Sequence, residues 1–302
     1  MTGSFSKKLL QVNITLAHGT FGAELGNTVV LKNHRVVCTI EKGGHPSKNH
    51  ARIQVYGMGE DLMTKLSRDT HSPLAFTKKF VQVLAGDDPN NLDIAFQGEV
   101  SDSFAAFKSP PHQYLHIEAI EGYYPSLKPS RTRSYQTAID ANVIFSDLAS
   151  EMGYVLENNG VMAQISTPYL YGSAMDQAGN LAKSLNLEFG VDNGIMFIAN
   201  KNQPRKGNAP LLTPSTGMKE YPTYAKKILS VESLYIPHLK LGGLFVIQDS
   251  KVSNANGTWR ITGIKHHLES ENPSGPWFTH LKSAPQTNEV GQSQDSGGET
   301  SE

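Results

Sequence analysis

Cysteine occurs once in the 302 residues, at Cys38. A lone thiol permits no intrachain disulfide framework and no cysteine-based zinc site, and it fits a reducing compartment. No apolar run approaches the ~20 residues that a membrane-spanning helix needs. The N-terminal MTGSFSKKLLQVNITL has a lysine pair but no apolar core, so no signal peptide is expected. An excess of either charge is missing as well. The formal net charge is -1, and scattered lysines and arginines argue against a nucleic-acid surface, which concentrates them. The densest basic stretches, 128–133 and 201–206, read as linkers. There is no Gly-x-Ser-x-Gly elbow, no His-Glu-x-x-His, no phosphate-cradling Gly-x-x-x-x-Gly-Lys-Ser/Thr and no EF-hand loop. No catalytic residue, cofactor or metal is therefore expected.

What is present is alternation. Val36, Cys38 and Ile40 alternate with Val37 and Thr39. Ala51, Ile53 and Val55 alternate with Arg52, Gln54 and Tyr56. Leu92, Ile94 and Phe96 alternate with Asp93, Ala95 and Gln97. Period two places one side of each strand in a core. Turn chemistry punctuates the strands at Gly43-Gly44-His45-Pro46, at 86–91 and at Ser109-Pro110-Pro111. One short helix is expected over 60–66. The fold class expected is mainly β with an α+β insert: two tube-like β-barrel domains and a small helix–hairpin domain. Residues 1–125 form the first barrel and 126–135 a proline-bearing linker. Residues 136–200 form the small domain, 201–285 the second barrel, and 286–302 a disordered acidic tail. Within the small domain Ile139, Val143, Leu148 and Met152 fall at helical spacing before a Gly153 cap. Ser173 caps a second helix, and Asn193-Gly194 closes a hairpin.

The two β regions resemble each other at matched spacing. Val83 to Gly98 spans 15 positions and Ile247 to Gly263 spans 16; Gly98 to His116 spans 18 and Gly263 to His280 spans 17. Duplication and chance register both account for this. Under duplication Gly98 and Gly263 mark bulges or tight bends.

The stretch YPTYAKKILSVESLYIPHLKLGGLFVIQDS, followed by NGTWRITGIKHHLES and WFTHLKS, resembles the C-terminal part of baseplate hub proteins of contractile-tailed bacteriophages. Those proteins are related to the N-terminal part of type VI secretion spike proteins. The turn of the motif falls on Pro237 to Gly243. The resemblance implies a structural, non-enzymatic homotrimer of the virion, assembled in the bacterial cytoplasm. It joins a six-fold tail tube to a three-fold spike, with tape-measure and baseplate wedge proteins as further contacts. DNA is only lumen cargo, and no membrane partner is implied. Pro237, Gly242, Gly243, Gly98 and Gly263 become candidate turn and assembly residues. The alternatives are a tail-associated peptidoglycan hydrolase and a carbohydrate- or receptor-binding β module.

Other constellations have structural readings. His266, His267 and His280 could share a metal, but adjacent strand residues face opposite sides, so surface and barrel-rim positions are expected. His45 and His50 read as loop residues. Cys38 reads as a small core hydrophobe. Asp87-Asp88 and Glu118/Glu121 read as solvated carboxylates. Tyr123-Tyr124 and Trp277-Phe278 suit either an interface or packing. Trp259 and Trp277 both fall inside repeat strands, which weakens the carbohydrate-platform reading.

Overall fold

The structure, a computed structural model, describes residues 7–21, 26–67, 78–107, 112–225 and 228–285. The turn expected at Ser109-Pro110-Pro111 and the acidic tail lie outside the described residues.

Alternating burial builds the first β region. Leu10, Val12, Ile14 and Leu16 point inward from β1 (Leu9–Leu16), and Ala51, Ile53 and Val55 from β4 (His50–Tyr56). With them come β2 (Thr28–Leu31), β3 (Val36–Lys42), β5 (Lys79–Gly86), β6 (Asp93–Ala106) and β7 (Tyr114–Ile120). Helix α1 (Glu60–Leu66), where expected, drives Met63 and Leu66 fully into this core. One alternation differs from expectation. Ala95 and Phe96 are both buried while Ile94 is exposed, because the β5–β6 register shifts between Val83 and Leu84. The extra residue of a bulge reverses the facing of everything before it. His50 also departs from its loop assignment, since it opens β4.

The insert contains α2 (Tyr123–Leu127), β8 (Arg133–Ser134), β9 (Ile139–Asp140), α3 (Ala141–Met152) and β10 (Val155–Asn159). It continues through β11 (Gln164–Ile165), β12 (Tyr169–Leu170), α4 (Ala174–Ser184), β13 (Leu187–Asp192) and β14 (Ile195–Asn200). Asp140 caps α3, and Gly153 ends it in the left-handed conformation at φ 80. Ser173 and Asp176 form a capping box on α4. Ile144, Phe145 and Leu148 of α3 meet Ala178, Leu181 and Ala182 of α4 over the β13–β14 hairpin. Val143 instead faces solvent. Asn193 and Gly194, both at positive φ, make the two-residue hairpin turn. The stretch read as a tether at 126–135 is structured: β8 pairs with β12, and Arg133 is buried.

The second β region holds β15 (Leu211–Leu212), β16 (Thr223–Ala225), β17 (Ile228–Leu234), β18 (Leu244–Ile247), β19 (Gly257–Glu269) and β20 (Trp277–Pro285). The two β regions belong to one 13-stranded sheet, joined where β3 pairs antiparallel with β19. Two separate cores nonetheless form. Trp259, Ile261 and Ile264 of β19 pack in the second, whereas Leu268 and Trp277 pack in the first.

The lateral order of the first region is β3-β4-β7-β6-β5-β1, and that of the second is β16-β17-β20-β19-β18-β15. Taken in chain order, the six strands correspond one to one. The halves differ in β2, added at the edge, and in β15, which runs parallel to β18 while β1 is antiparallel to β5. Past β15 the chain turns at Thr213–Thr216 and returns along β17, through a Met218–Ser233 bridge.

Candidate functional site: the junction of the three units

A buried charge knot sits where the two β regions meet the insert. Continuing the inward alternation of β3 by one step brings Lys42 into the interior, 3% exposed. Its Nζ lies 2.7 Å from Oδ1 of Asp192, the last residue of β13. Arg205, in the stretch read as a linker after β14, approaches Asp192 Oδ2 at 2.9 Å through Nη1. Its Nε donates to Glu157 on β10 at 2.8 Å, and its guanidinium covers the Phe197 ring at 4.0 Å. Lys240 Nζ reaches the other Glu157 oxygen at 2.9 Å. Each ion is paired, and Arg205, Asp192 and Glu157 take further hydrogen bonds from or to Leu241 and Asn159, the condition under which buried charges are tolerated. Burial alone would raise the Asp192 carboxyl, but the Lys42 and Arg205 charges together outweigh it and hold it below its ordinary value. Burial is likewise outweighed at Glu157, where hydrogen bonds from Arg205 and Lys240 bring the carboxyl down to about 2.

A second carboxylate lies beside the knot. Glu121 is 4% exposed, not solvated as its sequence context suggested. Asn49 Nδ2 donates to its Oε2 at 2.9 Å and the Asn193 amide to its Oε1 at 3.0 Å. Burial pushes its pKa up to about 8, with the Asp192 charge adding to the rise and Lys42 opposing it. Glu99 is also buried and raised by burial, accepting hydrogen bonds from Tyr154 Oη at 2.8 Å and the Tyr123 amide at 3.1 Å.

The turn from Pro237 to Gly243 closes over this knot. Pro237 and His238 are exposed, and His238 Nε2 lies 2.9 Å from Asp93 at the start of β6. Leu239, Leu241, Gly242 and Gly243 are buried. Arg205 Nη1 donates to the Leu241 carbonyl, and the Arg205 amide to the Gly242 carbonyl at 2.9 Å. Gly242 has φ +78, and an added Cβ would sit 3.4 Å from Arg205 Cδ. Gly242→Ala is therefore expected to destabilise the fold by about 1–2 kcal/mol from left-handed backbone strain, measured by urea denaturation. A Cβ on Gly243 would meet the Lys240 carbonyl at 3.0 Å.

The two candidate strand glycines are not equivalent to each other. Gly263 lies at the β19–β20 register shift. Gly98 stands in regular pairing with Val81; it is needed because the Phe96 ring lies 2.8 Å from where its Cβ would be. The β6–β7 pair shifts register between Val100 and Asp102 as the β19–β20 pair does between Ile261 and Gly263, and His116, opposite Phe104, and His280, opposite Lys265, each lie two pairs beyond that shift. The two halves thus agree in strand order and, around these shifts, in the register of the two histidines, but not in the positions of Gly98 and Gly263.

The remaining candidates resolve into packing. His266 is buried rather than on the surface. Its Nδ1 lies 2.9 Å from Thr279 Oγ1, and burial depresses its pKa to about 3. Among the described residues no group of three His, Cys, Asp or Glu side chains is placed to hold a metal. Cys38 is 1% exposed, and burial pushes its thiol up to about 12. Tyr124, Trp259 and Trp277 are all buried, which leaves neither tryptophan for a sugar platform.

No curated protein matches this sequence. Among solved structures, the fold is similar to a tail protein from Neisseria meningitidis MC58. The TM-score is 0.58 at 8% identity, over 91% of this chain and 96% of that one. It is similar to the 43 kDa tail protein of prophage MuSo2 from Shewanella oneidensis, at TM-score 0.55 and 9% identity over 91% and 98% of the two chains. An E. coli type VI secretion component, described as structurally similar to T4 bacteriophage tail proteins gp27 and gp5, aligns at TM-score 0.57 and 9% identity over 91% and 77%. At such identities the likeness is one of fold. The family model described as baseplate hub gp41 matches residues 9–280, which takes in both β regions and the insert. The chain belongs to the baseplate hub gp41 family, and is a β-rich structural protein of the phage tail baseplate.

Proposed function

We propose that three copies of this chain form a hub that presents six similar β units to a six-fold tail tube and a true three-fold face to a spike. The observation that carries this reading is the shared order of six strands in the two halves. A chain with two equivalent units lets a closed three-fold ring match a six-fold partner. The outward side of the first region is consistent with a channel wall for passing DNA and tape-measure protein. Gln11, Asn13, Gln82 and Gln97 form an uncharged chain of hydrogen bonds across β1, β5 and β6. Assembly takes place in the bacterial cytoplasm, with tube, spike and wedge proteins as partners.

The role assigned to Pro237, Gly242, Gly243, Gly98 and Gly263 is indirect. Gly242 and Gly243 are buried at the junction, so they act by fixing how the two halves face each other. A bulky or charged replacement at either is expected to impair trimer assembly or tube docking. The reading is tested by light scattering, alone and with the tube protein added. The expected mass is three times the 33.0 kDa chain. A protein that stays monomeric and binds neither tube nor spike would end the proposal.

A further inference from the structure

The junction inside the chain is a template for a junction between chains. β19 is long because it serves two partners on one side. Its first part pairs with β18, and residues 264–269 pair with β3, the edge strand of the first half. β6 is the counterpart of β19 in strand order and is similarly long, 14 residues against 13. Its first part pairs with β5 as far as Glu99. Beyond Glu99, toward the tip of the β6–β7 hairpin, no described strand pairs with β6 on the β5 side. That stretch corresponds to the part of β19 that receives β3.

The counterpart of β3 is β16, which ends the sheet and whose three residues are all exposed. We infer that β16 of one copy pairs antiparallel with residues 102–106 of β6 in the next copy, repeating the β3–β19 contact between subunits. Unpaired strand edges are ready templates for such additions. The side chains at the two edges agree. Phe104 and Phe107 are 46% and 54% exposed beside one edge, and Tyr224 and Ile228 are 42% and 46% exposed beside the other. Exposed aromatic and aliphatic groups at two separate edges are characteristic of buried interface centres. The contact joins unlike surfaces, so it generates a ring, not a two-fold pair.

The inference rests on the trimeric hub reading, and one experiment separates the two. Phe104→Lys is directed at the β6 edge, where the ring packs on His116 across the strand pair, and Ile228→Lys at the β16 edge, because Tyr224 is tied within its own chain to the Asn254 carbonyl and the Trp259 ring. Association is measured by sedimentation and light scattering, alone and with tube protein. Each variant by itself is expected to lose the trimer at least tenfold while keeping the wild-type circular dichroism. Mixed together they should form a 1:1 dimer, because one intact edge of each kind remains. Phe107→Lys and Tyr221→Lys serve in place of any variant that misfolds. Trimers that persist in both variants, or a mixture that stays monomeric, overturn the edge junction while leaving the hub reading standing. A wild type that never associates overturns both.

Discussion

Replacing Asp192 with alanine is expected to destabilise the protein by about 3–5 kcal/mol, the largest loss expected from any single polar substitution in it. The carboxylate is the common partner of Lys42 and Arg205, which are each 3% exposed. Removing it leaves two like charges facing each other without water, a far worse state than an exposed broken pair. The three residues also belong to three different parts of the fold: Lys42 to the first β region, Asp192 to the insert, and Arg205 to the segment leading into the second. The loss should therefore appear as a lower urea midpoint and as poorer assembly, since the halves are no longer held in one relative position. A Lys42→Met, Asp192→Leu double variant should recover much of the stability, because Arg205 keeps Glu157 and no lysine is stranded. A cost under ~1 kcal/mol for Asp192→Ala would show that water or movement relieves the knot.

Most of the β architecture was legible in the sequence because period-two burial has no competing explanation. The strands over Val36, Cys38 and Ile40 and over Ala51, Ile53 and Val55 lie where alternation puts them. The helix caps at Ser173 and Gly153 and the Asn193-Gly194 turn were equally plain, since each needs only neighbours in sequence. The charge knot was missed, yet part of its signal was present. The inward sets Val36, Cys38, Ile40 and Leu115, Ile117, Ala119 each continue by two residues, to Lys42 and Glu121. A charged residue in phase with a buried face should have been read as buried. Arg133 and Arg205 had no such marker. Their stretches are rich in proline and lysine, and only contacts distant in sequence, to Glu151 and Asp192, draw them inward. The exposure of Ile94 was also illegible, because a bulge is set by what the neighbouring strand pairs with. Matched spacing between Gly98 and Gly263 pointed to duplication, and strand order supports it, though the two glycines occupy different positions in the sheet.

Glu121 gives the junction a pH dependence whose sign can be worked out. Its folded pKa, about 8, lies above the ordinary 4.5, so the native state holds a proton that the unfolded chain releases. The stabilisation from that proton is complete below pH 4.5 and is lost as pH rises through 8. At about 1.4 kcal/mol per pKa unit the loss amounts to a few kcal/mol. His266 works in the other direction. Burial holds it neutral down to about pH 3 against an ordinary 6.5, so its contribution is complete above 6.5 and is lost as pH falls toward 3. Between 4.5 and 6.5 these two slopes oppose and nearly cancel; from 6.5 to 8 Glu121 acts without His266, and stability should fall. The group facing Glu121 from β13 does not alter this sign, because the Lys42 and Arg205 charges hold the Asp192 carboxyl below its ordinary value. Glu121→Gln should abolish the decline above pH 6.5 and leave that variant the more stable one at pH 8.5. Near pH 5 it should be the less stable by ~1–2 kcal/mol, because an amide nitrogen would then face a hydrogen-bond donor, Asn49 or the Asn193 amide. Urea denaturation of both proteins at pH 5, 6.5 and 8.5 measures the crossing, and parallel curves would show that Glu121 is ionised in the folded protein throughout.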